Sequence, residues 1–254
     1  DGDVPVFNDG FALGDELDVL GAGRASGVER LQWMAASGYV VVRPRPDVQV
    51  VIDVGLPCPD ELPAHAHADC LSFELVVGDS RRIVDAGTSE YGATDRRAYE
   101  RSTAAHNTVE VDGENQTEVW GAFRAARRAR PTVLEVCDSV GTVIVDAEHD
   151  GYRHLAGSPI HRRRFVIRSH SIEIVDTVRG RGDHSVVSRL REVRALADVT
   201  AQRLPVGLSI TASGLIETSD GRYSRALGAL EDAILHEQSE SGQLPIAMAW
   251  TIGF

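Results

Sequence analysis

From Gly38 onward, short apolar runs rich in β-branched residues alternate with turn residues: YVVVRPRP, VQVVIDVG, CLSFELVV, RRIVDAG, HNTVEVDG, TVLEVCD, TVIVDAEHD, RRFVIRS and SIEIVDTV. Period-two patterning broken about every 8 to 12 positions predicts antiparallel strands in an all-β sandwich or barrel. Three junctions carry hairpin turns, at Gly78-Asp79-Ser80, at Gly141 and at Ser169-His170. The closing stretch LGALEDAILHEQSESGQLPIAMAWTIGF begins with helix formers, but its ESGQ turn and alternating final run predict a strand hairpin. No strand–helix alternation is present, which excludes a doubly wound sheet or a β/α barrel.

Residues 1–36 read differently. They are rich in Gly and Asp, and within GVERLQWMAASG the apolar residues Val28, Leu31, Met34 and Ala35 fall at helical spacing. The expected organisation is a connecting arm with one short helix over 1–36 and a large antiparallel β-sandwich over 37–254. The chain opens at Asp1 with no basic or apolar leader, so its start is expected to lie inside a longer protein, and localisation is left open.

Composition narrows the function classes. The 254 residues are 43% hydrophobic and 25% charged, an ordinary globular balance. No apolar run reaches membrane-spanning length. Lys and Arg total 26 against 38 Asp and Glu, a net charge of −12 that argues against nonspecific nucleic-acid binding. Every one of these cations is Arg. They cluster at Arg124, Arg127, Arg128 and Arg130 and again at Arg162, Arg163, Arg164 and Arg168. Such clusters either meet a polyanion locally or protect solvated strand edges. Cys58, Cys70 and Cys137 are odd in number and lack CxxC spacing, so free thiols are expected.

The chemistry-bearing stretch is His65-Ala66-His67-Ala68-Asp69. On an extended segment its three polar side chains share one face. Asp85 follows the apolar run Ile83-Val84, and His106 opens HNTV, so both are expected at strand ends beside His67. Two imidazoles, one carboxylate and an open position describe a zinc-type site on His67, Asp85 and His106. An isolated HxH pair is more often hydrogen-bonded structure than a ligand set, and Asp85 serves equally as a turn residue. Cupin spacing fails, because Glu74 lies seven positions after His67. His149, His154, His161, His170, His184 and His236 lack such company and read as surface or satisfied core residues.

Taken together, HAHADCLSFEL, IVDAGTSEYG and YERSTAAHNTVEVDGENQTEVWGAFR resemble the signature region of the heparinase II/III-like polysaccharide lyases, strongly over about residues 37–131. The resemblance implies a C-terminal multi-sheet sandwich whose N-terminal α/α toroid is absent from this sequence, a periplasmic or secreted setting, and β-elimination on acidic, uronic-acid-containing glycans such as heparan sulfate or alginate. It places zinc, in a mainly structural role, on His67, Asp85 and His106, and His65 in the active cleft as base or carboxylate partner. It assigns the carboxylate-neutralising Asn or His and a Tyr largely to the toroid, so the chain alone is expected to be catalytically incomplete.

Tyr91 and Tyr99 lie between the two later metal ligands as cleft candidates. Trp120 and Phe123 are placed to stack on a sugar ring or to pack in the core, and Arg124 to pair with a carboxylate or sulfate. Gln116 and Glu118 are weaker candidates. Two other readings stand beside the lyase: a non-catalytic metal-stabilised sandwich that binds glycans or docks to a domain, and a hydrolase using zinc-bound water.

Overall fold

The computed structural model describes residues 7–9, 29–194 and 208–254. Among them, seventeen strands form two large antiparallel sheets and a small hairpin. The strands of the first sheet are β1 (Leu31–Met34), β2 (Tyr39–Arg45), β3 (Val48–Asp53), β4 (Phe73–Val77), β5 (Ser80–Ile83), β13 (Asp183–Val193), β16 (Glu231–Gln243) and β15 (Glu217–Tyr223), in that spatial order, with β6 (Val109–Val111) pairing on β13. The second sheet runs β14 (Ser209–Ala212), β17 (Ile246–Gly253), β12 (Ser171–Arg179), β11 (Ile160–Arg168), β10 (Thr142–His149) and β9 (Pro131–Ser139). The strands β7 (Val119–Trp120) and β8 (Arg124–Ala125) pair only with each other. The all-β, multi-sheet expectation is met.

Alternation builds the core. In both β11 and β12 every second side chain is buried. Phe165, Ile167, Ile172 and Ile174 meet Val40, Val42, Val50, Ile52, Phe73 and Leu75 of the facing sheet, with Trp250 of β17 sealed among them. All three expected hairpins form: Val77 pairs with Ser80, Ser139 with Thr142 and Arg168 with Ser171. Cys58, Cys70 and Cys137 are free.

Two expectations are corrected. Leu31–Met34 is a strand, paired antiparallel to Tyr39–Val42, and the remaining residues of the expected helix at 27 and 28 lie outside the described residues. The turn behind this strand closes on Gly38, whose φ of +79° suits glycine and where a Cβ would stand 2.1 Å from the Gly55 Cα. The helical spacing of four apolar residues loses to a sheet edge on which β1 finds four register partners along β2. The closing segment is strand as expected but is not a hairpin. β16 stays in the first sheet, and after Pro245 the chain crosses so that β17 pairs with β12 and β14 in the second.

The arginine clusters prove to be mostly engaged within the fold. Arg162 and Arg164 both bind Asp146, and buried Arg163 forks onto Asp176. Arg127 holds the carbonyls of Gln116 and Gly151, while Arg124 stays exposed.

Candidate functional site

The HAHAD stretch is not an extended strand. Pro63–His65 is a single 3-10 turn, and the chain then unwinds through Ala66. The three side chains therefore do not share one face: the His65 side chain is 54% exposed, whereas His67 and Asp69 are buried. Buried Arg101 fixes this path. It donates from Nε and Nη2 to the Ala66 carbonyl and reaches the carbonyls of Trp120, Gly121 and Arg124 on the small hairpin. Arg101 lies just beyond helix α1 (Asp95–Glu100), which Thr94 caps by accepting from the Arg97 N–H.

The centre of the site is a residue that sequence reasoning missed. Phe7 packs on the outer face of β2 and β3 against Tyr39, Val41 and Val51, and stacks on the Tyr39 ring at 5.8 Å. That anchor delivers Asn8 and Asp9 into the site. The Asp9 side chain is only 4% exposed, and five side-chain donor atoms meet its carboxylate. Oδ1 accepts from His67 Nε2 at 2.8 Å, Thr88 Oγ1 at 2.9 Å and Arg97 Nη1 at 2.5 Å. Oδ2 accepts from His65 Nδ1 at 2.6 Å and Arg97 Nη2 at 2.8 Å. Burial opposes the Asp9 charge, but the bonds from His67, Arg97 and His65 hold its carboxyl well below the usual carboxylate range.

An aromatic rim stands over this cluster. The His65 ring meets Tyr91 edge-on at 6.2 Å and Phe123 at 6.0 Å, and the Arg97 guanidinium lies over both rings at 5.2 and 5.7 Å. Burial and the Asp9 charge push the Tyr91 hydroxyl above its ordinary value. Tyr99 points elsewhere, its hydroxyl accepting from Arg191 Nη2 at 2.9 Å. Trp120 and Arg124 are register partners across the small hairpin, and Trp120 is 46% exposed. Gln116 is buried, with its Nε2 on the Cys70 carbonyl, and Glu118 is exposed.

Behind His67 lies a buried layer. Its ring stands 5.4 Å from that of His106, whose Nδ1 is 2.7 Å from Asp85 Oδ2. The second Asp85 oxygen accepts from the Gly87 N–H. Gly87 has a φ of +64°, and a Cβ there would stand 2.1 Å from the Ser224 carbonyl oxygen, so this turn demands glycine. Burial brings His67 down to about 4. For His106 burial is outweighed by the Asp85 charge and hydrogen bond, so its pKa rises. Burial pushes the Asp69 carboxyl up to about 6.

His67 Nδ1, His106 Nε2 and both Asp69 oxygens are buried without hydrogen-bond partners among the described residues. Neutral His67 donates from Nε2 to Asp9, so its orphan Nδ1 carries a lone pair, and His106, in its neutral form with Nδ1 donating to Asp85, presents one on Nε2. Such donors suit a borderline dication, with Asp85 oriented as the partner that fixes the His106 tautomer. Among the described residues no three His, Cys, Asp or Glu side chains gather as a metal cluster, so Asp85 stands in the structure as the partner of His106.

Asn107, beside His106, is a further residue whose role the sequence did not disclose. Its Nδ2 donates to the Phe73 and Val84 carbonyls, and its Oδ1 accepts from the Arg191 N–H. One buried amide thus ties β4, the segment after β5 and β13 together next to the candidate ligands.

The fold and site define a β-sandwich of two large sheets with a buried histidine pair beneath an aromatic rim. The chain belongs to the heparinase II/III-like C-terminal family, whose profile matches residues 27–243. Its structure is similar to that of a heparinase III gene product, with a TM-score of 0.79 at 17% identity, covering 99% of this chain and 43% of that one. It is likewise similar to heparan sulfate lyase HepC from Pedobacter heparinus, with a TM-score of 0.73 at 13% identity, covering 99% of this chain and 44% of that one. At such identities these two likenesses show the fold alone. A curated relative, FtsZ-localized protein C of Caulobacter vibrioides, is 30% identical over 141 residues, which are 52% of this chain and 23% of that protein. The chain thus spans less than half of each of these proteins.

Proposed function

We propose that this chain is the C-terminal sandwich of a polysaccharide lyase that cleaves uronic-acid-containing glycans by β-elimination, its catalytic set completed by an N-terminal helical toroid. The observation that carries the reading is the exposed His65 ring, fixed on Asp9 and flanked by Tyr91 and Phe123, in a chain of the heparinase II/III-like family. Elimination requires loss of the proton α to the uronate carboxylate and protonation of the departing oxygen. With Nδ1 donating to Asp9, neutral His65 keeps Nε2 as its basic nitrogen, the atom that takes the proton. Tyr91, held in its phenol form by its raised pKa, donates to the leaving oxygen. Tyr99, engaged by Arg191, supports the scaffold.

Trp120 offers an exposed face for a sugar ring, and Arg124, its partner across the hairpin, offers a fork for a carboxylate or sulfate. His67 and His106 would hold a zinc-type cation through their unpartnered ring nitrogens, with Asp85 orienting His106. Such a cation supplies a structural clamp beneath the rim. The test is incubation of the full-length protein with uronate polymers while following the ultraviolet absorbance of unsaturated products. Absorbance that grows, and vanishes in His65→Ala, is the expected result. Exclusively saturated sugars would defeat the reading.

The similarity to FtsZ-localized protein C, a name that describes localisation to another protein, supports a second reading, a non-catalytic sandwich that docks its protein onto a partner. Partner binding that survives His65→Ala, with no turnover by the full-length protein, would select it.

A further inference from the structure

The donors around Asp9 form a receptor for a carboxylate. Arg97 is fully buried yet presents both Nη atoms to one carboxylate, and Thr88 and the two histidines complete the ring. All four receptor residues lie between positions 65 and 97, whereas the carboxylate that fills it comes from position 9, 56 residues before His65. The two oxygens are not equivalent. Oδ1 sits deep, against His67 and Thr88, while Oδ2 is capped by His65, whose side chain is 54% exposed. The outer wall consists of Tyr91 and Phe123, the second of which is 41% exposed. A planar fork, further donors and an aromatic wall are what a sugar carboxylate needs.

We propose that the Arg97 pocket is a binding site for the carboxylate of a sugar acid and that Asp9 is its built-in occupant, an internal competitor that must leave before a uronate is held there; the incoming carboxylate then replaces Asp9 as the acceptor of His65 Nδ1. The identity of the sugar acid rests on the lyase reading, whereas the carboxylate receptor does not.

The experiment is thermal unfolding of the full-length protein carrying Asp9→Ala, titrated with sodium acetate, sodium glucuronate and, as controls, glucose and sodium chloride. In Asp9→Ala both carboxylates raise Tm by about 4 °C at roughly ten times their Kd, and the controls do not. Wild type, whose receptor is filled, shows a much smaller rise over the same range. Adding Arg97→Gln to Asp9→Ala removes the response. Should Asp9→Ala fail to fold, the same titration of Asp9→Ser, whose short side chain leaves the fork open, decides. Equal responses of wild type and variant, or none in either, would overturn the proposal. Rescue by acetate but not glucuronate would overturn the assignment to a sugar acid. Failure of both variants to fold, even with acetate present, would make Asp9 a structural counter-ion and also overturn it. None of these readouts involves turnover, so the elimination reading stands or falls separately.

Discussion

Arg101 grips the carbonyl of Ala66 with two donors, Nε at 3.1 Å and Nη2 at 2.9 Å. Ala66 is the residue between His65 and His67, so this fork sets where both imidazoles point. The remaining donor, Nη1, and a second bond from Nη2 reach the hairpin that carries Trp120 and Arg124. One buried cation, neutralised by carbonyl dipoles alone among these bonds, couples the histidine turn to the proposed sugar-binding hairpin.

Replacing this fork exposes the coupling. Arg101→Gln leaves several buried carbonyls without donors and should destabilise the protein by about 2–4 kcal/mol. Hydrogen exchange is expected to speed up both at residues 65–68 and at 119–125. Arg101→Lys restores charge without the planar fork and should recover only part of the protection. Loosening of one segment without the other would show that Arg101 does not link them.

Asn107 offers a second test of how the site is braced. Its amide makes three buried bonds that join separate strands. Asn107→Ala should cost about 3 kcal/mol, since two carbonyls and one N–H lose their partners in a dry interior. Asn107→Asp retains the acceptor for the Arg191 N–H but loses both donors and buries a charge, so it should be at least as damaging. Urea denaturation of the three proteins checks the order, and a loss under ~0.5 kcal/mol for the alanine variant would remove Asn107 from the frame.

The hairpins at Gly78-Asp79, Val140-Gly141 and Ser169-His170 were legible because the turn residues interrupt period-two runs locally. That His67, Asp85 and His106 belong to one neighbourhood was expected from a compound motif, whereas their complete burial was not. What escaped depends on contacts distant in sequence. The strand at Leu31–Met34 is too short for alternation to outweigh helical spacing, and only its neighbour β2 decides the matter. Asp9 looks like one more acidic residue of a polar arm until Phe7 anchors it against Val41 and Val51. Arg97 lies in a short, mostly polar helix and Arg101 caps its end, and nothing local announces that these two are buried. The parting of β16 from β17 follows from which sheet each can join, a choice the intervening turn residues do not encode.

Acid should weaken the sandwich through a buried histidine chain that runs across β10, β11 and β12. His149 Nδ1 accepts from the Gly151 N–H, so neutral His149 carries its proton on Nε2 and donates to His161 Nδ1 at 3.0 Å. His161 Nε2 then donates to Asp176 at 2.8 Å. Burial depresses both rings below 6.5, helped for His149 by the neighbouring His161 and Arg163, while for His161 it outweighs the pull of Asp176. The native state keeps these rings neutral where the unfolded chain binds protons, so their stabilisation is complete above 6.5 and is lost as pH falls below it. Each ring contributes a slope of about 1.4 kcal/mol per pH unit in that window. Urea midpoints at about pH 7 and about pH 5.5 should therefore separate less in His149→Gln than in wild type. His184, paired with Asp112 and shifted up, acts oppositely but is common to both proteins. An unchanged separation would mean that His149 takes up its proton without cost.

Zinc binding can be tested apart from any reaction. The unpartnered nitrogens His67 Nδ1 and His106 Nε2 are the donors at issue, and a cation that binds only the folded state stabilises it by mass action. Protein stripped with chelator and titrated with zinc should gain about 2.7 kcal/mol at roughly a hundred times Kd, read as a rise in Tm. His106→Ala should abolish the rise, because it removes one donor while leaving the Asp9 cluster untouched. Asp85→Asn should weaken it instead, since an amide in that place no longer fixes the proton on His106 Nδ1 as a carboxylate does. A rise of equal size in wild type and His106→Ala would place the cation elsewhere. No rise in wild type would leave the paired imidazoles as a purely hydrogen-bonded brace beneath the rim.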